Sequence, residues 1–203
     1  MQQEPKVLFS EAELQLLLNT EFFELKKMAT EKIFGLFGQL HLQMKSLPVH
    51  RQFDFPKGCE IESVKISKGE NFKGLPYVVM DFPRLFNREN VFAFRSMMWW
   101  GHFYSFTFHI SGEEKKKYES NLLSNLQSVV GKSIFFCTAL NEWNHDIQSP
   151  EYILITTESI RSIQNQMVEK KFIKLAAKFE LKDLGNLTER GSETYALILQ
   201  SLS

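Results

Sequence analysis

Asp81, Arg95, His102, His109, Glu142 and His145 are the side chains of this sequence whose types could do chemistry together. Arg95 can grip a carboxylate or phosphate through two parallel N–H groups, and an aspartate beside it would hold its guanidinium in place. A histidine within hydrogen-bond reach of a carboxylate is the usual pair for acid–base work. Asp81 and Arg95 fall on consecutive predicted strands, and a connection turning near residue 88 makes them cross-strand neighbours. The bland alternative is a structural ion pair at a sheet surface, worth about 0–1 kcal/mol if exposed.

Around Arg95 the residues are unusually aromatic. The chain has 19 Phe, 5 Tyr and 3 Trp, and the run Val91 to Ile110 reads VFAFRSMMWWGHFYSFTFHI. Trp99, Trp100 and Tyr104 with Arg95 are the candidate ligand-binding set, an aromatic floor beneath a held arginine. His102 or His109 with Asp81 or Glu142 are the candidate catalytic set, for a hydrolase. Glu142-x-x-His145 has a spacing known from carboxylate metal sites, but its Asn, Asp and Pro neighbours read as a loop. His102, His109, Glu142 and His145 would have to converge from distant positions to make a metal site, and none is assigned.

Other chemistries find less support. There is no Gly-x-Ser-x-Gly elbow and no phosphate-binding Gly-rich loop. Cys137 lies inside FFCTAL, where apolar surroundings raise a thiol pKa and make it inert. Cys59 and Cys137 form no CxxC pair and read as buried, reduced thiols. Lys171, Lys174, Lys178 and Lys182 recur at helical spacing beside Val168, Phe172, Leu175 and Phe179. That pattern favours a solvated lysine row flanking a buried one over a phosphate-binding stripe, so nucleic acid is not expected. No cofactor can be named from the residues.

The elements that must position these groups follow from periodicity. Ser10 to Glu13 is a capping box opening a short helix to Leu18. Asn19 or Thr20 caps a longer helix over about 21–46, with apolar positions Phe22, Leu25, Ala29, Ile33, Leu36, Leu40 and Met44. Gly35 and Gly38 weaken that helix and mark either close packing or a break. Phe23, Phe34, Phe37 and Leu42 lie off its main stripe, compatible with a homodimer seam or with burial on two sides. From residue 53 the period becomes 2. Strands are expected over 61–66 and 77–82, with Lys68 to Asn71 as the turn between them. The 91–110 run is about 66 Å if fully extended, too long for one strand, and a two-residue turn at Gly101-His102 would fold it into a hairpin. A helix follows from Ser111 to Val130, burying Tyr118, Leu122, Leu126 and Val129. Strands over 133–140 and 152–157 flank the loop of residues 141–150. A long helix is expected over 159–181, and a last one after Gly185 and Asn186.

The sequence therefore predicts one α+β domain over residues 1–203, with a mainly antiparallel sheet of five to six strands built on a central meander. Lys+Arg and Asp+Glu are both 24, so no global field draws a nucleic acid or an anionic membrane. No apolar stretch is long enough to cross a membrane. Met1 to Lys6 lacks an apolar leader region, and a cytoplasmic setting is the default expectation. The function the residues favour is binding of a small ligand or protein partner on the aromatic sheet face of residues 91–110, with the histidine–carboxylate hydrolase as the alternative.

Overall fold

A computed structural model describes residues 7–203. The expectation for Met1 to Lys6 lies outside the described residues. In chain order the elements are α1 (Glu11–Leu18), α2 (Thr20–Ser46), α3 (Pro48–Gln52), β1 (Lys65–Phe72), β2 (Leu75–Phe86), β3 (Val91–Trp99), β4 (Phe103–Ser111), α4 (Glu113–Asn125), β5 (Ile134–Cys137), β6 (Tyr152–Leu154), α5 (Ile160–Glu169), β7 (Phe172–Glu180) and α6 (Leu187–Ser201). The strands form a single antiparallel sheet in the order β1-β2-β3-β4-β7-β5-β6. The class is α+β, as the residues predict, with seven strands where five to six are expected. The meander β1 to β4 is present, and the last strand in sequence lies between β4 and β5.

Period-2 alternation divides the sheet into two faces. One carries Val78, Met80, Phe92, Phe94, Tyr104, Phe106, Phe108, Ile173 and Leu175, which pack with α2, α4, α5 and α6 into the main core. Tyr118, Leu122, Leu126 and Val129 all enter that core, at the spacing that predicts them. Burying a side chain of this size contributes about 1.5–3 kcal/mol. From α2 only the later turns take part, through Ile33, Phe37, Leu40 and Met44, so Phe37 is a core residue. Gly35 and Gly38 have open space where a Cβ would stand, and the helix runs through both unbroken.

The other, outer face carries a smaller apolar cluster that includes Val79, Met97, Trp99, Phe103, Cys137, Ile147, Phe172 and Ala176. Between these lie charged and polar side chains from β2, β3, β4 and β7. Residues 138–151 cross over this face as a loop.

Several local expectations need correction. Residues 172–180 are strand, not helix: α5 ends at Glu169 and β7 begins at Phe172. Phe172, Lys174, Ala176 and Lys178 alternate with Ile173, Leu175, Ala177 and Phe179, and pairing to both β4 and β5 selects that period. The lysine row is thereby broken up. Lys68 to Asn71 belongs to β1, and its turn is Lys73-Gly74, where both residues have positive φ. β2 continues through Pro83 to Phe86, with a register shift between Asp81 and Arg84. The 91–111 hairpin is as expected in its strands, but Trp99 pairs with Phe103, so its connection has three residues, with Gly101 at φ +75°. Ser111 does not cap α4. Asn90 does so from across the sheet edge, accepting the Glu113 amide at 2.8 Å.

Candidate functional site

The outer face brings together Asp81, Arg95, His109, Glu142 and His145 from four separate stretches of chain. Asp81 on β2 pairs with Arg95 on β3. Arg95 Nε donates to Asp81 Oδ1 at 2.7 Å and Nη2 to Oδ2 at 2.9 Å, a two-point contact with both side chains largely buried. Arg95 Nη1 lies 3.1 Å from His145 Nε2. A guanidinium only donates, so His145 Nε2 accepts and the imidazole carries its proton on Nδ1. Burial, reinforced by Lys174, Arg95 and His109, holds the His145 pKa well below the ordinary histidine value.

One row further along the sheet, His109 on β4 faces Lys174 on β7. His109 Nε2 is 3.0 Å from Glu142 Oε2. A carboxylate only accepts, so this nitrogen donates. Burial first, then the charges of Lys174 and Arg95, push the His109 pKa down to about 3, so the ring is neutral near pH 7. Lys174 is fully buried. Its ammonium donates to the backbone carbonyls of Glu142 and, at 3.0 Å, Asn144. Burial lowers its pKa to about 8.

The 138–151 loop is thus tied down from below by a buried lysine. Further ties run along it. Lys170 donates to the Thr138 carbonyl at 3.1 Å and to that of Ala139. The Tyr152 hydroxyl donates to the Asn144 carbonyl at 2.7 Å, and Lys73 meets Asp146 at 2.5 Å. Ile147, within the loop, is buried in the outer-face apolar cluster. Trp143, at its crest, is 48% exposed. Its ring lies 6.3 Å from Phe86 and 5.6 Å from His109.

Beside Trp143 opens a cleft of about 560 Å³ lined by Gly58, Lys65, Asp81, Arg84, Leu85, Phe86, Arg95 and Trp143. That volume suits a small ligand. Three cationic side chains and one carboxylate line it, so it favours anions. Arg95 has five N–H groups, of which Asp81 and His145 take three, leaving two. Its guanidinium carbon stands 5.9 Å from the Phe86 ring centroid.

The remaining predicted residues lie elsewhere. Trp99 is on the outer face but buried at the far end of the hairpin, stacked on His102 at 3.6 Å. His102 Nδ1 has Gln148 Oε1 at 3.4 Å, with no carboxylate partner among the described residues. Trp100 packs at the edge of the main core. Tyr104 is buried on the helix face, its ring 5.3 Å from Phe179 and its hydroxyl donating to the Asp183 carbonyl at 3.1 Å. The aromatic ring beside Arg95 is instead Phe86, and Trp143 packs near Phe86 in the lining of the same cleft. Lys174 also escapes sequence reasoning as a member of this cluster, because helical spacing puts it on a solvated row.

Among the described residues, no three His, Cys, Asp or Glu side chains converge to hold a metal, and no helix is long and apolar enough to cross a membrane. Compared with known proteins, the chain matches no family model, no curated protein and no solved structure.

Proposed function

We propose that this protein is a binding module that takes a small carboxylate with an apolar body into the cleft between β2, β3 and Trp143. The observation that carries the reading is the state of Arg95. Asp81 and His145 fix its guanidinium, yet two N–H groups remain, enough for the two oxygens of one more carboxylate. Preorganisation of this kind lowers the ordering cost of binding. Phe86 and Trp143 offer apolar contact to the rest of the ligand, and Lys65 and Arg84 add positive charge. The sheet face of residues 91–110 remains the proposed surface, with the aromatic contribution moved from Trp99, Trp100 and Tyr104 to Phe86 and Trp143. We assign it a reducing, cytoplasmic setting, in keeping with the free thiols of Cys59 and Cys137.

Titration calorimetry with benzoate, phenylacetate and short fatty acids, set against inorganic phosphate, tests the reading. Saturable binding of a carboxylate, weakened about ten- to a hundredfold by Arg95→Lys, is expected, since one charge-assisted contact contributes about 1.5–3 kcal/mol. Absence of saturable carboxylate binding, or unchanged affinity in the variant, would refute it.

A second reading, acid–base hydrolysis, is favoured by the His109–Glu142 contact of 3.0 Å. With its pKa at about 3 the covered ring is a weak base, and catalysis needs it rehydrated and its pKa brought back toward 7. Trp143 and Phe172 cover the ring, so this reading requires the 138–151 loop to open. Ester or phosphoester turnover that disappears in His109→Gln would support it. Turnover equal in the two proteins would exclude His109.

A further inference from the structure

The described chain begins with an apolar arm that the fold does not use. α1 buries no residue, and α2 buries none before Ile33. More than half of the exposed large apolar side chains of the described residues lie between Val7 and Met28, Leu17, Leu18, Phe22, Phe23 and Leu25 among them. An eight-residue helix is too short to persist in water by itself, because nucleation costs more than its few hydrogen bonds return. A surface of this size, helical and apolar, is a contact surface.

The charges of the arm say what covers it. From residue 7 to residue 25 every ionisable side chain is acidic: Glu11, Glu13, Glu21 and Glu24. Immediately after, Lys26, Lys27 and Lys32 gather at the root of the arm, with Glu31 the one acidic side chain among them. Lys26 meets Glu70 at 2.6 Å, while Lys27 and Lys32 have no carboxylate partner among the described residues. Two such arms laid side by side in the same direction set acid on acid. Laid in opposite directions about a two-fold axis, the acidic half of each meets the basic root of the other. A two-fold pairing of identical surfaces is the commonest form of self-association. A membrane surface is a poor match, since helices that lie on anionic lipid are rich in Lys and Arg.

We infer that residues 7–32 form the interface of a homodimer in which the arms of two copies of this chain pair antiparallel. Light scattering behind size exclusion, with the full chain from about 1 to 100 μM, is the test. A dimer is expected, and Leu17→Glu with Phe22→Glu should turn it into a monomer. These side chains touch nothing in the core, so the thermal transition of the dissociated variant should stay cooperative. E11K/E13K, at the positions that face Lys27 of the other arm when residues 7–32 pair antiparallel, is expected to weaken the dimer at least tenfold. Adding K27E/K32E to the same chain should restore it, because opposite charges then face each other across the axis again. A monomer throughout the range overturns the inference, as does a dimer indifferent to the apolar or the charge substitutions. A monomer that binds phosphatidylserine vesicles through the arm overturns it in favour of a lipid surface.

Discussion

Asp81 and Arg95 stand directly opposite each other on β2 and β3, joined by two hydrogen bonds of 2.7 and 2.9 Å. The pair is largely withdrawn from water, so its two halves depend on one another. Asp81→Ala should cost about 2–3 kcal/mol in urea unfolding, since it leaves the guanidinium half-buried and unpaired. Removing both charges, as D81L/R95M, should cost less than the two single changes added together, by about 1–3 kcal/mol. Additive losses would mean that the two side chains act independently.

The histidines set a pH dependence. His109 titrates at about 3 in the fold and near 6.5 in the unfolded chain. Between those values the unfolded chain binds a proton that the folded one refuses. Stability from this group is therefore full above about pH 7 and falls as the pH drops through 6.5, by up to about 1.4 kcal/mol per pH unit. His145, held low by burial, acts in the same direction. Denaturant melts between pH 7.5 and pH 5 should show this decline, and His109→Gln should make it shallower. An equal slope in the variant would show that His109 takes up its proton as readily in the fold as in the unfolded chain.

Lys174 fastens the 138–151 loop to the sheet. Lys174→Met removes a desolvated ammonium and also the donor to the carbonyls of Glu142 and Asn144. The two effects offset, so global stability should change by no more than about 1 kcal/mol. Amide exchange in residues 138–151 should accelerate, while β4 and β7 stay protected. Equal protection of the loop in both proteins would assign its anchoring to Lys170 and Tyr152 instead.

Three glycines separate close packing from empty space. A Cβ on Gly191 of α6 would come 2.8 Å from Leu40 and Phe106, so Gly191→Ala should cost about 1–3 kcal/mol. Gly35 and Gly38 of α2 meet nothing within 4 Å, and alanine at either should stabilise by about 0.5–1 kcal/mol. Thermal melts of the three variants distinguish the two situations. A neutral Gly191→Ala would show that α6 can slide away from the sheet.

What was legible in the sequence is what neighbouring residues decide. Gly101 divides a run too long for one strand, and the spacing of Tyr118, Leu122, Leu126 and Val129 names the buried side of α4. The Asp81–Arg95 pair follows from two adjacent strands and a short connection. Lys174 was not legible in this way. Residues 168–181 satisfy a helical and an extended period at once, and only pairing with β4 and β5, distant in sequence, decides between them. Trp143 and Glu142 reach the sheet through a loop whose course depends on that same lysine, so their meeting with Arg95 and His109 has no local signature.

The position of β7 governs how the molecule can be made. Residues 172–180 follow every other strand in the sequence, yet they fill the place between the meander and the β5–β6 hairpin. Until they emerge from the ribosome, β4 offers a long, apolar, unpaired edge, the kind that recruits strands from other chains. The β5–β6 hairpin meanwhile has no strand to join. Chains truncated before residue 172 should therefore aggregate rather than fold to a smaller unit, and the nascent protein needs shelter until β7 has been made.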